Sequence, residues 1–177
     1  MRYWELPEAL LNTNRMVKVV EIRIAEMYAG DEHNVIVTNG VGSCIVIILY
    51  DRLRRIGGMA HAILPHVRSL RGDQFRRDDL GRRFVKCADE AVDVLIEEVE
   101  SLGATREGMV AKLVGGAHMF SLLEGDKFGI GWENTESARQ RLREAGITIE
   151  TEVVGGTVGR NVRFDCATGI VEITTKV

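Results

Sequence analysis

Cys44-Ile45-Val46-Ile47-Ile48-Leu49-Tyr50, followed after a charged turn by Ile56-Gly57-Gly58-Met59-Ala60-His61-Ala62-Ile63-Leu64, is the stretch whose reading decides the fold. The first run is apolar at every position and rich in β-branched residues, the composition of a central strand covered on both faces. The second reads as a strand that Pro65 ends. Its Gly57, Gly58, Ala60 and Ala62 leave room for another element to approach the backbone closely, and alternation along a strand puts His61 on one face with Met59 and Ile63. A histidine is thereby set among apolar neighbours, with Cys44 at the head of the strand before it.

Upstream, residues 17–24 alternate partly and Val35-Ile36-Val37 leads into a turn at Asn39-Gly40-Val41-Gly42, so two further strands are expected there. Residues 1–16 show no sustained periodicity and read as an N-terminal extension. Downstream, residues 66–83 form a charged connection whose six arginines are partly offset by Asp73, Asp78 and Asp79. Phe84, Ala88, Ala91, Val92, Leu95, Ile96, Val99 and Leu102 then recur at helical spacing, with Gly103 as the C-cap. A strand over 109–114 runs into Gly115-Gly116-Ala117-His118, and a weaker strand is expected over 128–132. A second helix is predicted over 134–145, with Asn134 or Thr135 as N-cap and Gly146 after its end. Residues 147–154, 158–165 and 170–175 read as three strands, the last two joined by a turn at Ala167-Thr168-Gly169. Strands outnumber helices and most links are too short for parallel crossovers. The expectation is an α+β fold: a single domain over 17–177 with mainly antiparallel β-sheet layers flanked by two principal helices.

A chain of 177 residues, 45% hydrophobic and 28% charged, buries a continuous core without metal or disulfide staples. It has no apolar run near the roughly 20 residues of a bilayer span, so no membrane insertion is expected, and its start lacks the pattern of a secretory signal, which predicts a cytoplasmic protein. The net charge of −3 argues against a nucleic-acid partner. Cys44, Cys87 and Cys166 are odd in number and widely spaced, which fits reduced thiols better than a disulfide framework or a zinc ribbon.

Taken alone, Cys44 has an ordinary explanation as a small buried hydrophobe. Its position after Gly40-Val41-Gly42-Ser43 adds a second one, because successive N–H groups of such a turn, those near Gly42 and Ser43, can converge on a developing oxyanion. His61 reads equally as a core histidine with satisfied nitrogens, or as the base that takes a thiol proton and stabilises the anion left behind. Thr38, at the end of the preceding strand, is either a strand-end threonine or the group that holds one imidazole nitrogen so that the other faces sulfur. His118, after Gly115-Gly116, either lines a cleft or belongs to a structural turn that explains the glycines equally well. Gly40-Val41-Gly42 resembles a fragment of a dinucleotide loop, but a β-branched strand rather than a helix follows it.

Val37-Thr38-Asn39-Gly40-Val41-Gly42-Ser43-Cys44 and Gly58-Met59-Ala60-His61-Ala62-Ile63-Leu64-Pro65 together resemble the signature of the CheD family of chemoreceptor glutamine deamidases. The likeness continues through Lys86-Cys87-Ala88-Asp89-Glu90-Ala91, Gly115-Gly116-Ala117-His118-Met119-Phe120, Gly131-Trp132-Glu133-Asn134 and the Ala167-Thr168-Gly169 turn, and so covers residues 17–175. Two departures stand out: Cys87 takes the place of an aromatic residue, and the 66–83 connection is longer and more basic than the pattern.

The resemblance implies a CheD-like cysteine hydrolase fold with a catalytic triad at Thr38, Cys44 and His61. It implies a cytoplasmic chemotaxis enzyme that hydrolyses glutamine side chains of methyl-accepting chemoreceptors to glutamate through a thioester, with no cofactor and no metal. It also implies association with the phosphatase CheC, and a chiefly non-catalytic role as a binding regulator of CheC and receptors is the alternative. A third possibility is a metal site built from Cys44, His61, His118 and Cys166.

Overall fold

Every residue of β4 (Ile45–Asp51) is buried because two different layers cover it. Ile45, Ile47 and Leu49 pack toward the helices, while Val46, Ile48 and Tyr50 pack toward a second sheet. The two faces of one strand therefore seed two hydrophobic cores, as its unbroken apolar composition requires.

The computed structural model describes residues 16–66, 78–118 and 129–175. The elements around β4 are β1 (Lys18–Glu21), β2 (Glu26–Gly30), β3 (Asn34–Val41), β5 (Ile56–Ala62), β6 (Arg83–Phe84), α1 (Ala88–Ser101), β7 (Met109–Gly115), α2 (Ile130–Glu144), β8 (Thr148–Val154), β9 (Arg160–Asp165) and β10 (Val171–Thr175). One sheet has the order β6-β2-β5-β4-β7-β8 and the other β1-β3-β9-β10. The layers are thus a four-stranded sheet, a six-stranded sheet and two helices: an α+β domain.

Pairing is antiparallel except for β1 with β3 and β7 with β8. The β7–β8 connection contains α2 and is long enough for a parallel crossover, and between β1 and β3 the chain visits the other sheet as β2. The small residues of β5 act as the sequence suggests. A side chain at Gly58 would lie 2.7 Å from Leu95 Cδ1 of α1, and one at Gly57 would lie 2.7 Å from Phe164 Cζ of β9. Both cores therefore close directly on the β5 backbone.

Several expected boundaries are corrected. The first strand stops at Glu21, and Ala25, with φ of 65°, turns the chain into β2, which the weak alternation of Glu26-Met27-Tyr28-Ala29-Gly30 does not signal. Phe84 belongs to the short strand β6, where it pairs with Glu26, so α1 starts only at Ala88. The strand expected over 128–132 is replaced by the start of α2 at Ile130, with Gly129 as N-cap; Phe128 lies outside the described residues. Asn134 and Thr135 are consequently interior helix residues and not caps. Of the 1–16 extension only Met16 is described, and most of the basic connection lies outside the described residues. No helix among the described residues is long and apolar enough to cross a membrane.

Candidate active site

Thr38 on β3 and His61 on β5 belong to different sheets, and both are fully buried. Their side chains meet between the layers, with Thr38 Oγ1 at 2.8 Å from His61 Nδ1. The other imidazole nitrogen, Nε2, is buried and has no hydrogen-bond partner among the described residues.

Register places the cysteine beside this imidazole. His61 is directly opposite Val46, whose side chain belongs to the inter-sheet core together with Cys44 and Met59. Cys44 stands two residues before Val46, lines the same inter-sheet core and sits at the end of the β4–β5 ladder, just outside its last pair Ile45 and Ala62. β4 begins at Ile45, so Cys44 is the last residue of the turn and not the first of the strand, as expected from sequence. Thr38, Cys44 and His61 are thereby brought to one end of the inter-sheet core.

The turn is held by its carbonyls. Ala117 N–H donates to Gly42 O at 2.8 Å, Gly116 N–H to Cys44 O at 2.7 Å, and Asn134 Nδ2 to Ser43 O at 2.9 Å. With these carbonyls turned toward β7 and α2, no backbone carbonyl among the described residues accepts from the N–H groups of Ser43 and Cys44. Those two N–H groups are thus free of backbone acceptors among the described residues, and the Cys44 N–H lies against its own sulfur. Gly115 permits the approach: its φ is 122°, and a Cβ there would collide with the Cys44 carbonyl and lie 2.7 Å from Val41 Cγ1.

Electrostatics leave both members of the pair neutral. Burial pushes the His61 imidazole down to about 4, so it is an unprotonated acceptor at neutral pH. Burial raises the Cys44 thiol, partly countered by its own backbone N–H, so it keeps its proton. A protonated thiol and an unprotonated imidazole are therefore present together, and not a thiolate–imidazolium ion pair.

His118 is half-buried and lines a cavity of about 300 Å³ with Gly116, Trp132, Thr135 and Val154. Gly116 is also the residue that holds the Cys44 carbonyl, so this cavity adjoins the turn that ends at Cys44. Cys87 occupies the N-cap of α1, with its thiol raised to about 11 by burial and by the charges of Asp89 and Glu90. Cys166 is buried in the inter-sheet core, its Sγ 4.0 Å from Gly57 O. No three His, Cys, Asp or Glu side chains among the described residues are grouped to hold a metal ion. Asn134, expected as a cap, is fully buried at the site; residue type and spacing carry no signal for that, and only its place in a family-like segment marks it.

The family model described as CheD chemotactic sensory transduction matches residues 71–175. A protein of Halalkalibacterium halodurans named chemoreceptor glutamine deamidase CheD is 37% identical over 161 residues, covering 90% of this chain and 95% of its own. A probable chemoreceptor glutamine deamidase CheD of Clostridium botulinum strain Hall is 37% identical over 160 residues, covering 90% and 94%. Among solved structures, hypothetical protein YfiH of Bacillus licheniformis is 17% identical with a TM-score of 0.42, covering 75% of this chain and 51% of that one. Protein NMB0706 of Neisseria meningitidis is 14% identical with a TM-score of 0.42, covering 80% and 64%. Likeness of that degree to solved structures carries no argument; identity sustained over nine-tenths of the chain does, and by it this chain belongs to the CheD family.

Proposed function

We propose that this protein is a chemoreceptor glutamine deamidase in which Cys44 is the nucleophile, His61 the general base and Thr38 the residue that orients the base. One observation carries the assignment: an imidazole fixed at Nδ1 by a threonine from another sheet, with Nε2 buried and unpaired, faces the same inter-sheet core as the buried thiol of Cys44.

The reaction uses the tautomer in which His61 Nδ1–H donates to Thr38 Oγ1, leaving the Nε2 lone pair to take the Cys44 proton. As that proton transfers, sulfur bonds to the carboxamide carbon of a receptor glutamine, and the carbonyl π electrons move onto oxygen. The backbone N–H groups of Ser43 and Cys44 hold the oxyanion. Collapse re-forms the carbonyl and breaks the C–N bond; the nitrogen takes the proton from His61 and leaves as ammonia. His61 then removes a proton from water, whose oxygen attacks the thioester. Glutamate forms, and the proton returns to sulfur. No step calls for a metal or an organic cofactor.

The same reading makes residues 17–177 the catalytic domain of a cytoplasmic protein that acts on methyl-accepting chemoreceptors. Association with the phosphatase CheC rests on the family resemblance alone. Incubating receptor fragments with the protein and with its Cys44→Ala variant tests the chemistry. Wild type adds about one dalton to specific glutamine-containing peptides, the mass change of amide to acid, and the variant does not; deamidation retained by Cys44→Ala refutes the role of Cys44.

A further inference from the structure

The β4–β5 ladder ends at the pair Ile45 and Ala62, so Cys44 and the chain beyond Ala62 leave the sheet without a rung between them. Asn134 supplies one. Its Nδ2 donates to Ser43 O at 2.9 Å and to Ile63 O at 3.1 Å, tying the residue just before the cysteine to the residue two beyond the histidine. Both acceptors are carbonyl oxygens, which take hydrogen bonds only from the amide nitrogen, so the orientation of the carboxamide is fixed. The side chain is fully buried. Its Oδ1 and His61 Nε2 are the two buried polar side-chain atoms that lack a partner among the described residues. An amide that leaves its own acceptor unpaired is a costly choice for stability alone, and such costs gather at functional sites.

The helix that carries Asn134 is anchored for the purpose. Gly131 and Gly116 meet backbone to backbone: a Cβ on Gly131 would lie 2.7 Å from Ala117 O and 2.8 Å from Gly116 O. Thr135 Oγ1, which donates to Gly131 O within the helix at 2.9 Å, packs on Gly116 so closely that a Cβ there would collide with it, and Ser137 Oγ donates to Pro65 O. The first turns of α2 are thus fastened to the β7 turn and to the chain after β5, and Asn134 points its two donors between them.

We infer that Asn134 is a positioning residue for the Cys44–His61 pair, its carboxamide acting as the last rung of the β4–β5 ladder and setting how closely the thiol and imidazole can meet. The inference rests on the proposed roles of Cys44 and His61. Asn134→Asp keeps the shape but removes both donors; Asn134→Ala removes the group. Gly146→Ala, which strains the backbone after the end of α2 and leaves its first turns untouched, is the control.

Two readouts separate positioning from mere structural support: kcat and KM for deamidation of a receptor glutamine peptide, and the rate of iodoacetamide alkylation of the Cys44 peptide against pH, followed by mass spectrometry. Both Asn134 variants lower kcat on the order of 100-fold, the scale of an ångström-sized misplacement, with KM within about two-fold. They also shift the alkylation profile, whereas Gly146→Ala lowers Tm and leaves both unchanged. Folded Asn134 variants with wild-type kcat and alkylation profile overturn the inference. Should neither variant fold, the wild-type protein decides: slow exchange of the Asn134 side-chain amide protons in ¹H–¹⁵N spectra supports the rung, and rapid exchange removes it. Alkylation needs no receptor, so a wild-type protein inactive on glutamine would defeat the deamidase reading while the rung is still judged.

Discussion

Thr38 Oγ1 and His61 Nδ1, 2.8 Å apart, are supplied by different sheets, so the hydrogen bond that orients the imidazole is also a bond between layers. Removing the hydroxyl therefore acts on stability and on activity through the same atom. Thr38→Val keeps the side-chain shape and leaves Nδ1 buried without a partner, at a cost of about 1–3 kcal/mol measured by denaturant unfolding. The imidazole also loses its fixed tautomer, and kcat falls on the order of 100-fold or more. Thr38→Ser, which keeps the oxygen, restores most of both. A Thr38→Val enzyme that unfolds more easily yet turns over at the wild-type rate would remove Thr38 from the catalytic assignment.

Acid stability follows from burial of the same ring. The folded state holds His61 at about 4, against 6.5 for the free side chain, so below about pH 6.5 the unfolded chain takes up a proton that the folded one refuses. Stability contributed by the neutral imidazole is fully present above 6.5 and lost as pH falls toward 4. At roughly 1.4 kcal/mol per pH unit the loss is on the order of 3 kcal/mol. Urea unfolding between pH 7.5 and 4 measures it, and His61→Gln flattens that part of the curve. An identical slope in wild type and variant would assign the loss to other groups.

The thiol provides a complementary signature. Because burial raises Cys44 and its neighbour is uncharged, the free enzyme holds little thiolate at neutral pH. Alkylation of Cys44 by iodoacetamide should be slow near pH 7 and climb continuously into the alkaline range, above the pH at which an ordinary thiol of pKa about 8.5 levels off. A rate that is already high and flat from pH 6 to 8 would mean a preformed thiolate–imidazolium pair, and the proton transfer would then precede substrate.

The site is more legible in the sequence than its supports. Thr38 and His61 stand on strands whose alternation fixes which face each side chain takes, Cys44 closes the turn that leads into β4, and the register of β4 against β5 follows from a short turn. The central strand β4 is equally plain, since an unbroken apolar run has one sheet environment that suits it. What sequence reading misses depends on distant contacts. The start of α2 is set by a glycine-to-glycine approach across residues 116 and 131, which no local propensity encodes, and β2 carries too weak an alternation to register. Asn134 reads as a cap because capping preferences are local, whereas its actual partners are 91 and 71 residues away.

Two glycine substitutions distinguish close approach from backbone strain. Gly131 lies against the backbone of Gly116 and Ala117, so Gly131→Ala needs α2 to retreat by several tenths of an ångström from atoms that cannot rotate away. The expected destabilisation is about 1–3 kcal/mol, typical of overpacking. Because Asn134 stands one turn further along the same helix, the retreat also lengthens its bonds to Ser43 and Ile63, and kcat falls with stability. Gly146 has φ of 74° but no atom within 4 Å of the place a Cβ would take, so Gly146→Ala incurs the left-handed backbone cost alone. That cost is about 1–2 kcal/mol. Gly146 follows the end of α2 far from the turn, and the kcat of its variant should match wild type. Equal stability losses with unequal kcat would tie activity to the seating of α2; a parallel loss of kcat in both variants would reduce the effect of Gly131→Ala to general destabilisation.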